Sequence, residues 1–368
     1  MKKRTRYFLT ILGVIFFSTG GYFIYKYLTV QTPETEMKRA VKALADAKKS
    51  EATVFAAEKF AEAKSEFGMA MDEWEFQNKQ IFIHRNYHKT ITLAKKTVEL
   101  CNEATKKAGE EKDSVKNRMI HLLPSIEQKI NYFEKYYKNL PLTKSTFNAY
   151  SNSKLKYQEA TNSFQQSKIY EALTQAGEAE SLINQASAKA KLLLEDYFRD
   201  YHLWLKNARL ARSLSSRGQT VILVDKLAAT CSVLKSGKTL ETFHAEFGQN
   251  WTGDKIRRGD KATPEGVYKI IRKKDHGNTK YYKSLLLNYP NNEDKARFTA
   301  LIKKGNIPKN SKIGSLIEIH GDGGKGVSWT DGCIALSNAD MDKVFQQCRV
   351  STPVIIIGSE RTLNEYLK

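Results

Sequence analysis

Residues 317–345 read IEIHGDGGKGVSWTDGCIALSNADMDKVF. An alternating apolar run ends at His320, a glycine-rich loop follows, and Gly332 stands immediately before Cys333. Short apolar runs bounded by glycine are strand signals, so the histidine and the cysteine fall at two strand ends joined by a loop. Downstream, NADMDKVFQQC has helical spacing.

The same texture extends on both sides. TVILVDK, TCSVLK and KTLETFH read as strands separated by turns, VYKIIRK follows the sharp turn at Thr263, Pro264 and Gly266, and TPVIIIG closes the series. Glycine usage marks where this texture begins. Between Pro33 and Arg212 there are three glycines (Gly68, Gly109, Gly177), whereas residues 213–368 hold fifteen. The first segment therefore reads as long helices and the second as a mostly β sandwich or barrel with one helical patch.

Within 34–212, apolar and alanine positions recur at helical spacing with dense charge between them, and breaks are expected near Gly109, Pro124 and Pro141. Residues 86–108 and 168–190 form an internal repeat at an offset of 82: Ala94 aligns with Ala176, Asn102 with Asn184, Ala104 with Ala186 and Ala108 with Ala190. Two repeated helical hairpins, a bundle or coiled-coil stalk, follow from this. Such a stalk serves either as a spacer or as a surface for an envelope protein partner. His84 and His88 stand four apart, a spacing that puts two ligands on one helix face, but no further motif accompanies them.

At the amino terminus, MKKRTR precedes an apolar run from Tyr7 to Leu28 that carries no charge before Lys26. That length spans a hydrocarbon core of about 30 Å as one helix, and the flanking cations favour a cytoplasmic N-terminus. A cleaved signal peptide is the rival reading, with Ser18 and Gly20 near a cleavage point; the apolar residues continuing through Ile24 favour an anchor. The expected order is a cytoplasmic N-terminus at 1–6, a transmembrane anchor at 7–28, a helical stalk at 33–212, a β-rich domain at 218–358 and a tail at 359–368. The chain beyond the anchor is expected outside the cytoplasm of a bacterium, on its inner membrane.

The net charge of +20 is spread, +11 over residues 1–216 and +9 over 217–368. With no reading motif beside it, this charge fits a basic surface near anionic lipid or wall polymer, and nucleic acid is not an expected partner.

ATPEGVYKI, IEIHG and TDGCIAL, framed by VILVDK and TPVIIIG, resemble the L,D-transpeptidase (YkuD-type) catalytic domain over about residues 218–358. The resemblance implies a cysteine nucleophile, Cys333, with His320 as proton donor and acceptor, and Gly332 and Thr330 as turn support. It implies peptidoglycan stem peptides as substrate, with no cofactor and no metal. Asp331 stands where many members carry a second histidine, and Ala335 where many carry a substrate-holding arginine. Asp331 either orients His320 or caps the turn. Tyr281, Tyr282, Trp329, Asp331 and LNYPNNED (287–294) are expected to wall a substrate cleft.

The chemistry also stands on the residues alone. Attack on a carbonyl needs a thiolate, and a free cysteine with a pKa of about 8.5 is mostly protonated at neutral pH. A histidine in reach removes that proton and returns it to the leaving amine, while Gly332 leaves successive N–H groups free to meet an oxyanion. Cys101, Cys231 and Cys348 are open to disulfide pairing or burial as thiols, with Cys231–Cys348 left undecided. Resolution of the thioester by water, or a domain that only binds peptidoglycan, are the alternatives to transfer.

Overall fold

The computed structural model describes residues 2–368; for residues 2–6 it describes the backbone helix alone, so the side chains of the expected cationic terminus lie outside it. Helix α1 (Lys2–Thr29) is long and apolar enough to cross a membrane, and its apolar window is unburied. The chain folds as two compact units, one holding residues up to Ser125 with Gln158–Ala176 and the other Ile126–Tyr157 with Gly177–Lys368.

In the first unit, α2 (Glu34–Lys49), α3 (Ala52–Phe55) and α4 (Ala57–Lys79) pack against α5 (His88–Tyr136). Small residues make this seam: Ala47, Ala52, Ala56 and Ala63 meet Leu100, Cys101, Ala104 and Ala108 in one buried cluster. A second cluster joins Met37, Ala40, Ala70 and Ala94. Ion pairs run along the exposed flank, Lys96–Glu66 at 3.1 Å and Lys89–Glu73 at 3.0 Å. Ala94, Ala104 and Ala108 and the residues aligned with them, Ala176, Ala186 and Ala190, are all buried.

Two expectations are corrected here. Helix α5 runs unbroken through Gly109 and Pro124. Pro124 is exposed, so the hydrogen bond it forfeits to the carbonyl of Ile120 falls on the wet face, where water replaces it. His84 lies in a 3-10 turn, Phe82–His84, while His88 begins α5, so their spacing does not make one helix face. The break near Pro141 is real: α6 (Lys144–Gln165) starts after it and α7 (Ile169–Tyr197) returns antiparallel, with Ser153 Oγ donating to the Ala179 carbonyl at 2.8 Å.

The C-terminal domain is one curled sheet. Its strands are β1 (Val221–Asp225), β2 (Thr230–Lys235), β3 (Lys238–His244), β4 (Gly266–Lys274), β5 (Ser284–Leu287), β6 (Glu318–His320), β7 (Ile334–Ala335) and β8 (Pro353–Ile357). Their order is β3-β2-β1-β8-β4-β5-β6-β7, with β1/β8 and β6/β7 parallel and the rest antiparallel. Bridges from Glu246 to Ala335 and from Gly248 to Thr330 bring the chain after β3 back onto β7, closing the curl. The core inside it includes Ile222, Val224, Tyr268, Ile270, Leu285, Ile319, Ile334 and Ile356.

Helix α8 (Tyr201–Ser216) lies against the sheet and buries Trp204, Ala208, Ala211 and Ser215. Trp204 Nε1 donates to Glu265 at 2.5 Å, and the fully buried Lys226 holds the other oxygen of that carboxylate at 2.6 Å. The sequence predicts one helix in this domain, and there are two long ones: α10 (Asn338–Gln347), as expected, and α9 (Asn292–Lys303), whose first turn overlaps the end of the 287–294 stretch expected to wall a cleft. Asn291 and Asp294 form a reciprocal cap that starts α9. A last turn, α11 (Leu363–Tyr366), ends the chain, with Tyr366 donating to the Tyr136 carbonyl at 2.9 Å. All four cysteines are free thiols; Cys101, Cys231 and Cys348 are buried.

Candidate active site

The parallel pairing of β6 with β7 sets the geometry. Ile319 faces Ile334 and His320 faces Ala335, so residue 333, one step before β7, lies opposite Glu318. Side chains alternate along a strand, which puts Glu318, His320, Cys333 and Ala335 on one face while Ile319 and Ile334 enter the core. His320 is therefore the diagonal neighbour of Cys333. The sulfur sits against the chain entering β6, with Sγ directed at the Leu316 carbonyl at 3.7 Å.

His320 is buried, and its Nδ1 lies 2.6 Å from the Gly321 carbonyl. A carbonyl only accepts, so Nδ1 carries the proton and Nε2 is left as the basic nitrogen. That Nε2 is buried without a protein partner. Burial holds His320 below the ordinary imidazole range, opposed by the Gly321 carbonyl and the Glu318 and Asp322 carboxylates. Burial likewise pushes the Cys333 thiol up, although the Glu318 amide and Lys280 and Lys255 favour the thiolate. Burial thus favours the neutral form of each group.

The turn before Cys333 is closely held. Thr330 Oγ1 donates to the Cys333 carbonyl at 2.7 Å and accepts the Gly332 amide at 3.2 Å. Gly332 has φ +132, and a Cβ there would stand 2.6 Å from the Ala262 carbonyl, so only glycine fits. Because Thr330 takes the Gly332 amide, the donors of the turn left without an acceptor among the described residues are the amides of Asp331 and Cys333.

Of the residues expected to wall a cleft, Tyr281 stacks on His320, with centroids 3.5 Å apart and planes 6° from parallel. Trp329 meets His320 edge-on at 6.1 Å. Tyr282 instead donates its hydroxyl to Asp342 of α10 at 3.0 Å. The Asp331 side chain is exposed, and the acceptor that orients His320 is the Gly321 carbonyl. In 287–294, Tyr289 and Asp294 are buried rather than lining a cleft.

Two residues escaped sequence reasoning. Lys255 is buried beneath the turn, bonded to Asp260 at 2.8 Å and reaching the Asp331 carbonyl at 3.5 Å. Glu246 is buried and accepts both the Gly326 amide, at 2.6 Å, and Trp329 Nε1, at 2.8 Å, so it shapes the loop between histidine and cysteine. Neither carries a local signal; HAEFG and TGDKI read as ordinary turn segments.

Residues 219–356 match the family model of the L,D-transpeptidase catalytic domain, YkuD. The C-terminal domain is a YkuD domain. Among curated proteins, this chain is 31% identical over 94 residues to YafK of Escherichia coli (strain K12), whose name places it among the L,D-transpeptidases; the match covers 26% of this chain and 31% of that protein. The chain thus spans about a third of that relative's length. Among solved structures, Bd1075 of Bdellovibrio bacteriovorus is 24% identical, covering 40% of this chain and 52% of that one at a TM-score of 0.30. The L,D-transpeptidase of Xylanimonas cellulosilytica is 16% identical, with 38% and 61% covered and a TM-score of 0.26. The YkuD domain here therefore follows an N-terminal apolar helix and a long helical region.

Proposed function

We propose that the protein is a peptidoglycan L,D-transpeptidase with Cys333 as nucleophile and His320 as general base and acid. The observation that carries this reading is the buried, unpartnered Nε2 of His320, fixed as the basic nitrogen by the Gly321 carbonyl and set diagonally beside Cys333. The Cys333 thiol proton passes to Nε2 as sulfur attacks the carbonyl of the third stem residue, a diamino acid. The Cys333 amide stands at the oxyanion. Collapse breaks the C–N bond, Nε2 returns the proton to the departing D-alanine amine, and a thioester remains on Cys333. An acceptor amine then attacks the thioester carbonyl and regenerates the thiol. No metal or cofactor enters this sequence.

In this reading α1 anchors the chain in the inner membrane and residues 218–358 work outside the cytoplasm. The test is intact-protein mass after incubation with a purified disaccharide tetrapeptide. The expected result is an adduct of the substrate less D-alanine on the native chain and none on Cys333→Ala. D-alanine release that survives Cys333→Ala overturns the reading. Adding an acceptor stem separates transfer from hydrolysis through the mass of the product.

A further inference from the structure

The face that carries Cys333 and His320 has Ala335 beside them, a buried methyl group with no charge to offer a substrate. Several lysines surround it, and most are committed. Lys255 is bound to Asp260 at 2.8 Å, Lys274 to Glu318 at 2.5 Å and Lys283 to Asp342 at 2.5 Å. Lys280 and Lys325 differ: both are exposed, and among the described residues neither forms an ion pair. Each instead rests on an aromatic ring that itself touches His320. Lys280 Nζ lies 4.8 Å from the centroid of Tyr281, and Lys325 Nζ lies 3.3 Å from that of Trp329.

An aromatic face holds an ammonium group without neutralising it, and even Lys280, which also bonds the Tyr281 hydroxyl, keeps N–H donors for a ligand. An anion that enters beside the imidazole meets both cations at the rim, and its hydrogen bonds to them are charge-assisted. We propose that Lys280 and Lys325 are the specificity pair of this cleft, binding the C-terminal carboxylate of the donor stem peptide. They supply from the two rim loops the charge that Ala335 does not provide from the strand. This rests on the peptide-acyl transfer assigned above and names the group by which the donor is held.

The test uses the full chain carrying Cys333→Ala, so that binding is read without turnover, and two probes: the stem tetrapeptide with a free C-terminal carboxylate and the same peptide amidated there. Isothermal titration is expected to show the acid binding about tenfold more tightly than the amide, the size of one charge-assisted contact. Lys280→Met and Lys325→Met, which keep the apolar stems over the rings, should each shrink that preference, the double variant should erase it, and Lys280→Arg should retain it. Equal affinity for the two peptides, or a preference that persists in the double variant, overturns the proposal. On the native chain, the same single variants should raise KM for the acid and leave kcat near its parent value. A native chain that binds the acid selectively yet forms no adduct would refute the transfer reading and leave the carboxylate pair standing.

Discussion

At the residue scale, the protonation of the two central groups makes a prediction with a fixed sign. His320 is lowered, so its Nε2 stays able to take a proton until the pH falls below the ordinary imidazole value of about 6.5. Cys333 is raised, so the thiol persists to the alkaline side of a free cysteine. The acylation rate should thus be flat through neutrality, with its acidic limb below about pH 6.5. Iodoacetamide labelling of Cys333 should show a midpoint above that of a free thiol, about 8.5. A midpoint at or below that value would mean a preformed thiolate and a different division of labour with His320. Gly332 gives a second prediction. Alanine there must move the turn away from the Ala262 carbonyl, and a displacement of about 1 Å at a reacting group costs on the order of a hundredfold in rate. Gly332→Ala should therefore lose about two orders of magnitude in kcat, in steady-state D-alanine release.

At the scale of elements, legibility divides by sequence distance. The strand ending at His320, the glycine turn into Cys333 and α10 are written locally, in apolar alternation, in Gly332 and in the Ser337 cap. Lys255 and Glu246 are invisible because the groups they hold lie 76 and 83 positions away, and a lysine in a turn looks the same whether solvated or buried. Helix α9 was missed for a related reason: its apolar face is thin, and its start is set by the Asn291–Asp294 cap, inside a run that reads as a loop. Glu246 deserves its own experiment. Glu246→Gln turns one of two accepting oxygens into a donor facing another donor, an unsatisfied buried group worth about 1–3 kcal/mol. A lower urea midpoint and faster amide exchange across residues 323–329 are expected, and unchanged exchange there would remove its role in shaping the loop. In the helical region, Pro124→Ala restores the hydrogen bond to Ile120 and should stabilise α5 by about 1–3 kcal/mol in thermal unfolding.

At the scale of the molecule, the boundary drawn from composition near residue 218 separates textures, whereas the buried contacts continue past it. Trp204 presses on the backbone at Gly358 so closely that a Cβ there would stand 2.2 Å from the indole ring, and Arg212 pairs with Glu360 at 2.6 Å. A fragment starting at residue 218 exposes the surface that α8 covers. Losing the Trp204 side chain alone from such a site is worth about 3–5 kcal/mol. That fragment should melt well below one starting at residue 194, which keeps α8; equal melting temperatures would show α8 to be dispensable. Texture is what a single sequence displays best, and the tryptophan's partner, more than 150 positions onward, is what it hides.

The strand order carries one more consequence. Strand β8, built from residues 353–357, lies between β1 and β4 and is the sole seam joining β1–β3 to β4–β7 on that side of the sheet. Of the eight strands β8 is synthesised last, so β1 and β4 wait for the partner they share until the other seven have been made. Such late, long-range closure is slow. For the export proposed above that delay is useful: a chain crossing a membrane stays pliable until β8 arrives, and the sheet around Cys333 and His320 is completed only then.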